Sequence, residues 1–174
     1  GIAIFGEWVY YATPNVDKDK NGTASTTNTD FMRTKIDGSV TQLIGTIGTR
    51  SSEYLFTPSR VYYYESSKIS YIDFSGMKTN KNIDNGKGAV KGTLAENVTS
   101  VAWKYDCNEF YYTQSAPTEE SYMNYNNLCA STLAGETRTI ATKNTYTENV
   151  TGDPLNVFKF SLVIVNKLFY FFLG

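Results

Sequence analysis

The chain has 174 residues, 41% of them hydrophobic, and it carries 16 Lys and Arg against 17 Asp and Glu. The hydrophobic fraction suffices for a buried core. The net charge of −1 gives no electrostatic reason to expect a nucleic acid or an anionic membrane as a partner. The sequence contains no His, which removes the commonest general base and metal ligand and any Ser-His or Cys-His nucleophile pair.

Residues 1–45 predict a unit of four strands. Each apolar or aromatic run is separated from the next by polar residues or by a turn, and the first two runs flank Gly6-Glu7 as in a β-hairpin. The third run ends at Asp37-Gly38, where Gly tolerates the positive φ that such turns require. The four predicted strands are residues 2–5, 8–11, 31–36 and 40–44.

The aromatic signature of residues 8–11 recurs three times, at intervals of 49 to 58 residues. These intervals are close to the about 40–50 residues of a propeller blade, which contains four strands. We therefore predict two more complete units, at 53–83 and 98–142, and a half unit at 156–172. The second unit would end with a strand at 77–83, followed by a linker at 85–92. The predicted fold is all-β, with three complete blades of four antiparallel strands and a half blade.

Residues 61–64, followed by 67–76, resemble a blade of the YWTD-like β-propellers, the type found in low-density-lipoprotein receptors and in bacterial secreted proteins and lipoproteins. Asp37-Gly38-Ser39 is similar to the turn of that family. The resemblance implies a propeller domain over residues 1–174, usually six-bladed, in an extracellular or cell-surface protein. Since a ring needs about 4–8 blades, three and a half would form an incomplete ring. Missing sequence or another chain would complete the half blade.

The connection between the second and third strands of the first unit carries the first half of a calcium-loop pattern, D-x-[DN]-x-[DN]-G. Calcium prefers several oxygen ligands, and alternate side chains of a tight loop can converge on one ion. The alternative is a solvated polar turn, because loops favour the same residue types. The candidate calcium ligands are Asp17, Asp19, Asn21, Thr23 and Asp30.

The equivalent connection of the third unit, residues 113–127, is rich in Tyr and Asn, which are common in adaptable recognition surfaces. Its candidate ligand-binding residues are Tyr122, Asn124, Tyr125 and Asn126, although the aromatics could instead pack the loop onto its sheet. We predict no catalytic residues.

Residues 157–173 form the most apolar stretch, but charged and amide side chains interrupt it. The interrupting residues are Lys159, Asn166 and Lys167, so the stretch predicts a buried strand pair and no membrane-spanning segment. Cys107 and Cys129 are predicted to be unpaired, since the strand register would place them beyond the reach of a disulfide.

These features favour an extracellular, non-enzymatic binding module that presents a loop face to a protein, peptide or glycan, with calcium as the candidate cofactor. Two alternatives remain open. One is a structural or surface-assembly component whose propeller is completed by another chain. The other is an enzyme on a propeller scaffold, since a fold does not determine a function.

Overall fold

The computed structural model describes residues 1–18, 24–48, 53–103, 108–116, 125–142, 160–165 and 168–173. These residues contain fourteen β-strands and no helix, which confirms the predicted all-β class. No helix in this part of the chain is long and apolar enough to cross a membrane. The chain divides into two compact units, residues 1–94 and 95–174.

Twelve strands form three four-stranded antiparallel sheets in which each strand pairs with its neighbours in sequence. Sheet 1 contains β1 (Ile2–Phe5), β2 (Trp8–Lys18), β3 (Ala24–Lys35) and β4 (Thr41–Ile47). Sheet 2 contains β5 (Tyr54–Phe56), β6 (Arg60–Glu65), β7 (Lys68–Asp73) and β8 (Val90–Glu96). Sheet 3 contains β9 (Val98–Ala102), β10 (Glu109–Ala116), β11 (Tyr125–Thr132) and β12 (Thr137–Ala141). The hairpin predicted from the apolar stretch pairs β13 (Phe160–Val165) with β14 (Leu168–Leu173).

The fourth strand of sheet 2 was predicted wrongly. It is β8, which begins at Val90 within the predicted linker, whereas residues 77–83 form an irregular connection. Met77 and Ile83 are buried there, but the polar residues between them give no strand period. Backbone hydrogen bonds from Ile83 to Thr41 and from Leu43 to Ile83 hold this connection on β4. The apolar residues Met77 and Ile83, which anchor this loop, were therefore mistaken for the two ends of a strand.

Sheets 1 and 2 share the hydrophobic core of the first unit. Successive side chains of a strand point to opposite faces, so Tyr10, Phe31 and Ile44 lie on the face of sheet 1 that contributes to this core. Phe31 is 0% exposed, and its ring centroid lies 5.4 Å from that of Tyr54 and 5.8 Å from that of Phe56. Aromatic rings from both sheets therefore interlock at its centre.

Gly86, in the connection before β8, has a φ of +65°, and a Cβ there would lie 2.9 Å from the Ile44 carbonyl oxygen. We expect Gly86→Ala to lower the free energy of unfolding by more than Gly38→Ala does. Gly38 has a similar φ of +73° but open space around it, so Ala should cost only about 1–2 kcal/mol of backbone strain there. Urea denaturation of both variants measures the difference, and equal losses would exclude the contact with β4 as a constraint.

Tyr112 and Cys129 face each other across β10 and β11 in sheet 3. Cys129 is a buried, free thiol, as predicted, and Cys107 lies outside the described residues. Burial raises the pKa of Tyr112 to about 12, and the neighbouring Cys129 adds to the increase.

This raised pKa predicts a loss of stability in alkali. A phenol that holds its proton more tightly when folded stabilises the protein fully below its unfolded pKa of about 10. That contribution is lost as the pH rises from about 10 to about 12. Unfolding measured from pH 8 to 12 should therefore show a smaller alkaline loss for Tyr112→Phe than for the unmodified chain. Parallel losses would contradict the assignment.

Candidate functional site

The residues predicted to bind calcium fall partly on regular strands. Asp17 lies on β2 opposite Thr26, so β2 and β3 extend further than the sequence pattern indicated. Asp19, Asn21 and Thr23 lie outside the described residues, and for them the calcium loop stays a prediction.

Asp30 is not brought to Asp17. It lies on β3 opposite Thr13, four residues from Asp17 along β2, a separation of about 13 Å at ~3.3 Å per residue. Its carboxylate accepts hydrogen bonds from the Asn15 amide and the Thr46 hydroxyl. These contacts give Asp30 a role in joining β2, β3 and β4, and the distance is too long for one ion to bridge both aspartates. Within the described ranges, no three acidic or Cys side chains cluster as a metal site would require.

The second predicted site also lies at a strand end. Tyr125 and Asn126 begin β11 and pair with the last two residues of β10, while Tyr122 and Asn124 lie outside the described ranges. The Asn126 side chain is half-buried, and its Oδ1 has no hydrogen-bond partner in the described part of the chain. The structure thus places two of the four residues together and leaves their ligand-binding role a prediction.

A pocket that the sequence did not indicate opens between sheets 1 and 2, and we name it the inter-sheet pocket. Its volume is about 780 Å³, within the ~300–1,000 Å³ typical of ligand pockets. It lies at the β1–β2 turn, the end of sheet 1 opposite the predicted calcium loop. Glu7 of that turn, Ser59 of the β5–β6 turn and Ser75 after β7 line it. Its walls are the rings of Trp8 and Phe74.

Arg33, at the base of the inter-sheet pocket, is only 4% exposed. Its Nε donates a 2.7 Å hydrogen bond to Gln42 Oε1. Its guanidinium carbon lies 4.5 Å from the Trp8 ring centroid and 5.3 Å from that of Phe74. Its Nη2 is buried and has no hydrogen-bond partner in the part of the chain that the structure describes. Burial raises the pKa of the adjacent Tyr10, and the Arg33 guanidinium lowers it by part of that amount.

Gln42 fixes the position of Arg33. Its side chain is completely buried on β4, opposite Arg33, and its Nε2 donates 2.6 Å hydrogen bonds to the carbonyl oxygens of Lys78 and Lys81. The amide thus joins the β7–β8 connection to sheet 1 while its oxygen holds the guanidinium. Every polar atom of the Gln42 side chain forms a hydrogen bond, so the Arg33 guanidinium is held in a fixed position. Its Nη2 remains without an acceptor among the described residues.

The other cations near this pocket have carboxylate partners. Arg60 Nε lies 2.9 Å from Asp73 Oδ2, and Lys35 Nζ lies 3.5 Å from Glu7 Oε2. Arg33 forms no such ion pair with any residue the structure describes. Because a buried charge without a counter-ion is costly, Arg33 is the anomalous group of the first unit.

The sequence carried one signal that could have identified this residue. Arg33 is two positions from Phe31, and with a period of two both side chains point to the same face of β3. If Phe31 belongs to the core, Arg33 must also point its charged side chain toward the core. Its neighbours in the pocket come from other strands and from turns of sheet 2, which no local pattern could reveal.

Comparison of the chain with protein-family models, with curated proteins and with solved structures finds no match.

Proposed function

We propose that this chain is an extracellular, non-enzymatic binding module whose sheets are blades of a β-propeller, and that it binds a glycan, with peptides and proteins as the alternative ligands. One observation carries the proposal: the inter-sheet pocket has the volume of a ligand site, and a buried guanidinium that lines it has an Nη2 group without a hydrogen-bond partner among the described residues. Its extracellular location rests on the resemblance to secreted YWTD-like propellers.

The repeat supports the propeller arrangement. In sheet 2, Val61 and Tyr63 lie on the face that packs against sheet 1. The equivalent residues of sheet 1, Val9 and Tyr11, lie on its opposite face and are only half-buried. On that face Ile4 is 63% exposed. A preceding blade of the same kind would cover it, because blades stack with one face on each neighbour.

A structural component completed by another chain is the second candidate. Ile2 and Ile4 are 73% and 63% exposed, and the β13–β14 hairpin has half the strands of the other sheets. Apolar surface of this kind marks an interaction site when it is contiguous. Sedimentation equilibrium separates the candidates, since a concentration-independent monomer argues against assembly through copies of this chain.

Glycan and peptide arrays probed with the labelled chain test the main proposal. We expect capture of a restricted set of glycans, which mass spectrometry then recovers unchanged after long incubation with the protein. Capture of no ligand would contradict the binding function. Recovery of cleaved or shortened glycans would instead favour an enzyme on this scaffold.

A further inference from the structure

We propose that the inter-sheet pocket binds the carboxylate of an acidic sugar residue, with Arg33 as the group that recognises the anion. This inference rests on the proposed binding function and names the chemistry of its ligand.

The charge balance of the pocket calls for one negative charge. Arg33 is the sole buried cation among the described lining residues, and its neighbours are a neutral amide, the Tyr10 phenol and two aromatic rings instead of a carboxylate. Removing a guanidinium from water is costly unless a charged or hydrogen-bonding partner compensates it. A bound carboxylate would supply both the missing charge and an acceptor for Nη2.

The geometry limits which anion fits. Gln42 occupies Nε, so the ligand meets the guanidinium through Nη2, whose N–H groups have no hydrogen-bond partner among the described residues. The described lining residues include no second cation, so a dianionic phosphate would meet one positive charge where it needs two. Glu7, whose side chain is 80% exposed in the turn that borders the pocket, would repel a ligand with several negative charges. A single carboxylate on an otherwise uncharged body meets both conditions.

The rest of the lining suits a sugar ring. Ser59, Ser75 and Thr79 supply hydroxyl groups, while Trp8 and Met77 supply apolar walls. A hydroxylated ring with one carboxylate can form hydrogen bonds with these hydroxyl groups and place its C–H surface against the apolar walls. The volume of about 780 Å³ admits one or two such rings. An acidic peptide is less suitable, since its additional carboxylates would approach Glu7.

Calorimetric titration of the chain with D-glucuronate, its methyl ester and D-glucose tests the carboxylate directly. These ligands share a ring but differ in charge, so no protein variant is needed for the comparison. We expect glucuronate to bind at least about tenfold more tightly than either neutral ligand, equivalent to about 1.4 kcal/mol. Equal affinities for all three would overturn the inference.

Two variants then locate the site. Arg33→Met keeps an unbranched apolar side chain under Trp8 and should weaken glucuronate binding at least about tenfold, provided that its circular dichroism shows it folded. Arg138→Met removes the same charge from an exposed residue that pairs with Glu109, and it should bind as the unmodified chain does. Equal weakening by both variants would indicate a general charge effect and would overturn the role of Arg33.

Further ligands separate this inference from the proposed function. Tighter binding of inorganic phosphate or of an aspartate-rich peptide than of glucuronate would overturn the acidic-sugar assignment. Array capture of neutral glycans without any preference for glucuronate would also overturn it, while the binding function would stand. If the array captures nothing and no titration produces heat, both proposals fail.

Discussion

Replacement of Phe31 by Ala is expected to lower the free energy of unfolding by about 3–5 kcal/mol, the range for deleting a buried aromatic ring. Phe31 is completely buried, and its ring contacts those of Tyr54, Phe56 and Tyr63 at centroid distances of 5.4–5.8 Å. The loss combines the transfer free energy of the ring with the cavity left between two sheets. Since domains are stable by only about 5–15 kcal/mol, this loss removes a substantial part of the stability of the folded chain.

Urea denaturation followed by tryptophan fluorescence measures this change. Ile4→Ala is the matched control, because Ile4 lies on the exposed face of the same sheet and its truncation should alter stability by less than about 0.5 kcal/mol. Phe31→Leu, which retains much of the side-chain volume, should fall between the two. A Phe31→Ala loss no larger than that of Ile4→Ala would show that the two sheets do not share one core.

The second large effect is expected at Gln42. Gln42→Leu removes the acceptor for Arg33 Nε and the donors for the carbonyl oxygens of Lys78 and Lys81. A hydrogen bond to a charged group contributes about 1.5–3 kcal/mol, and unsatisfied buried groups add about 1–3 kcal/mol. We therefore expect a loss of about 3–5 kcal/mol in the same denaturation assay, although the substitution makes the site more apolar.

A double-mutant cycle with Arg33→Met separates the two roles of Gln42. If Gln42 stabilises mainly by holding the guanidinium, the double variant should recover about 1.5–3 kcal/mol of the loss, because no buried cation remains unsatisfied. The remaining loss reports the anchoring of the β7–β8 connection. Strict additivity of the two substitutions would contradict the contact between Arg33 and Gln42.

The local pattern of the sequence was sufficient to predict most of the strands. Aromatic signatures such as 60–63 lie on the second strand of each sheet, and Asp37-Gly38 is a turn with Gly38 at positive φ. These features depend on side-chain alternation and on the backbone freedom of single residues, which act over a few positions. The hairpin of β13 and β14 was predictable for the same reason, since an apolar run on each side of a short polar turn has few other solutions.

The tertiary structure decided the features that depend on distant partners. The fourth strand of sheet 2 is β8 and not residues 77–83, because Met77 is buried in the shared core and Ile83 is hydrogen-bonded to β4 of sheet 1. The separation of Asp30 from Asp17 follows from the long register of β2 and β3. The burial of Arg33 between Gln42 of β4 and aromatic rings of both sheets became visible only in the tertiary structure. The sequence by itself therefore determined the repeat and its strands, whereas packing between sheets determined the pocket, because burial and pairing of a charge depend on residues far apart in the chain.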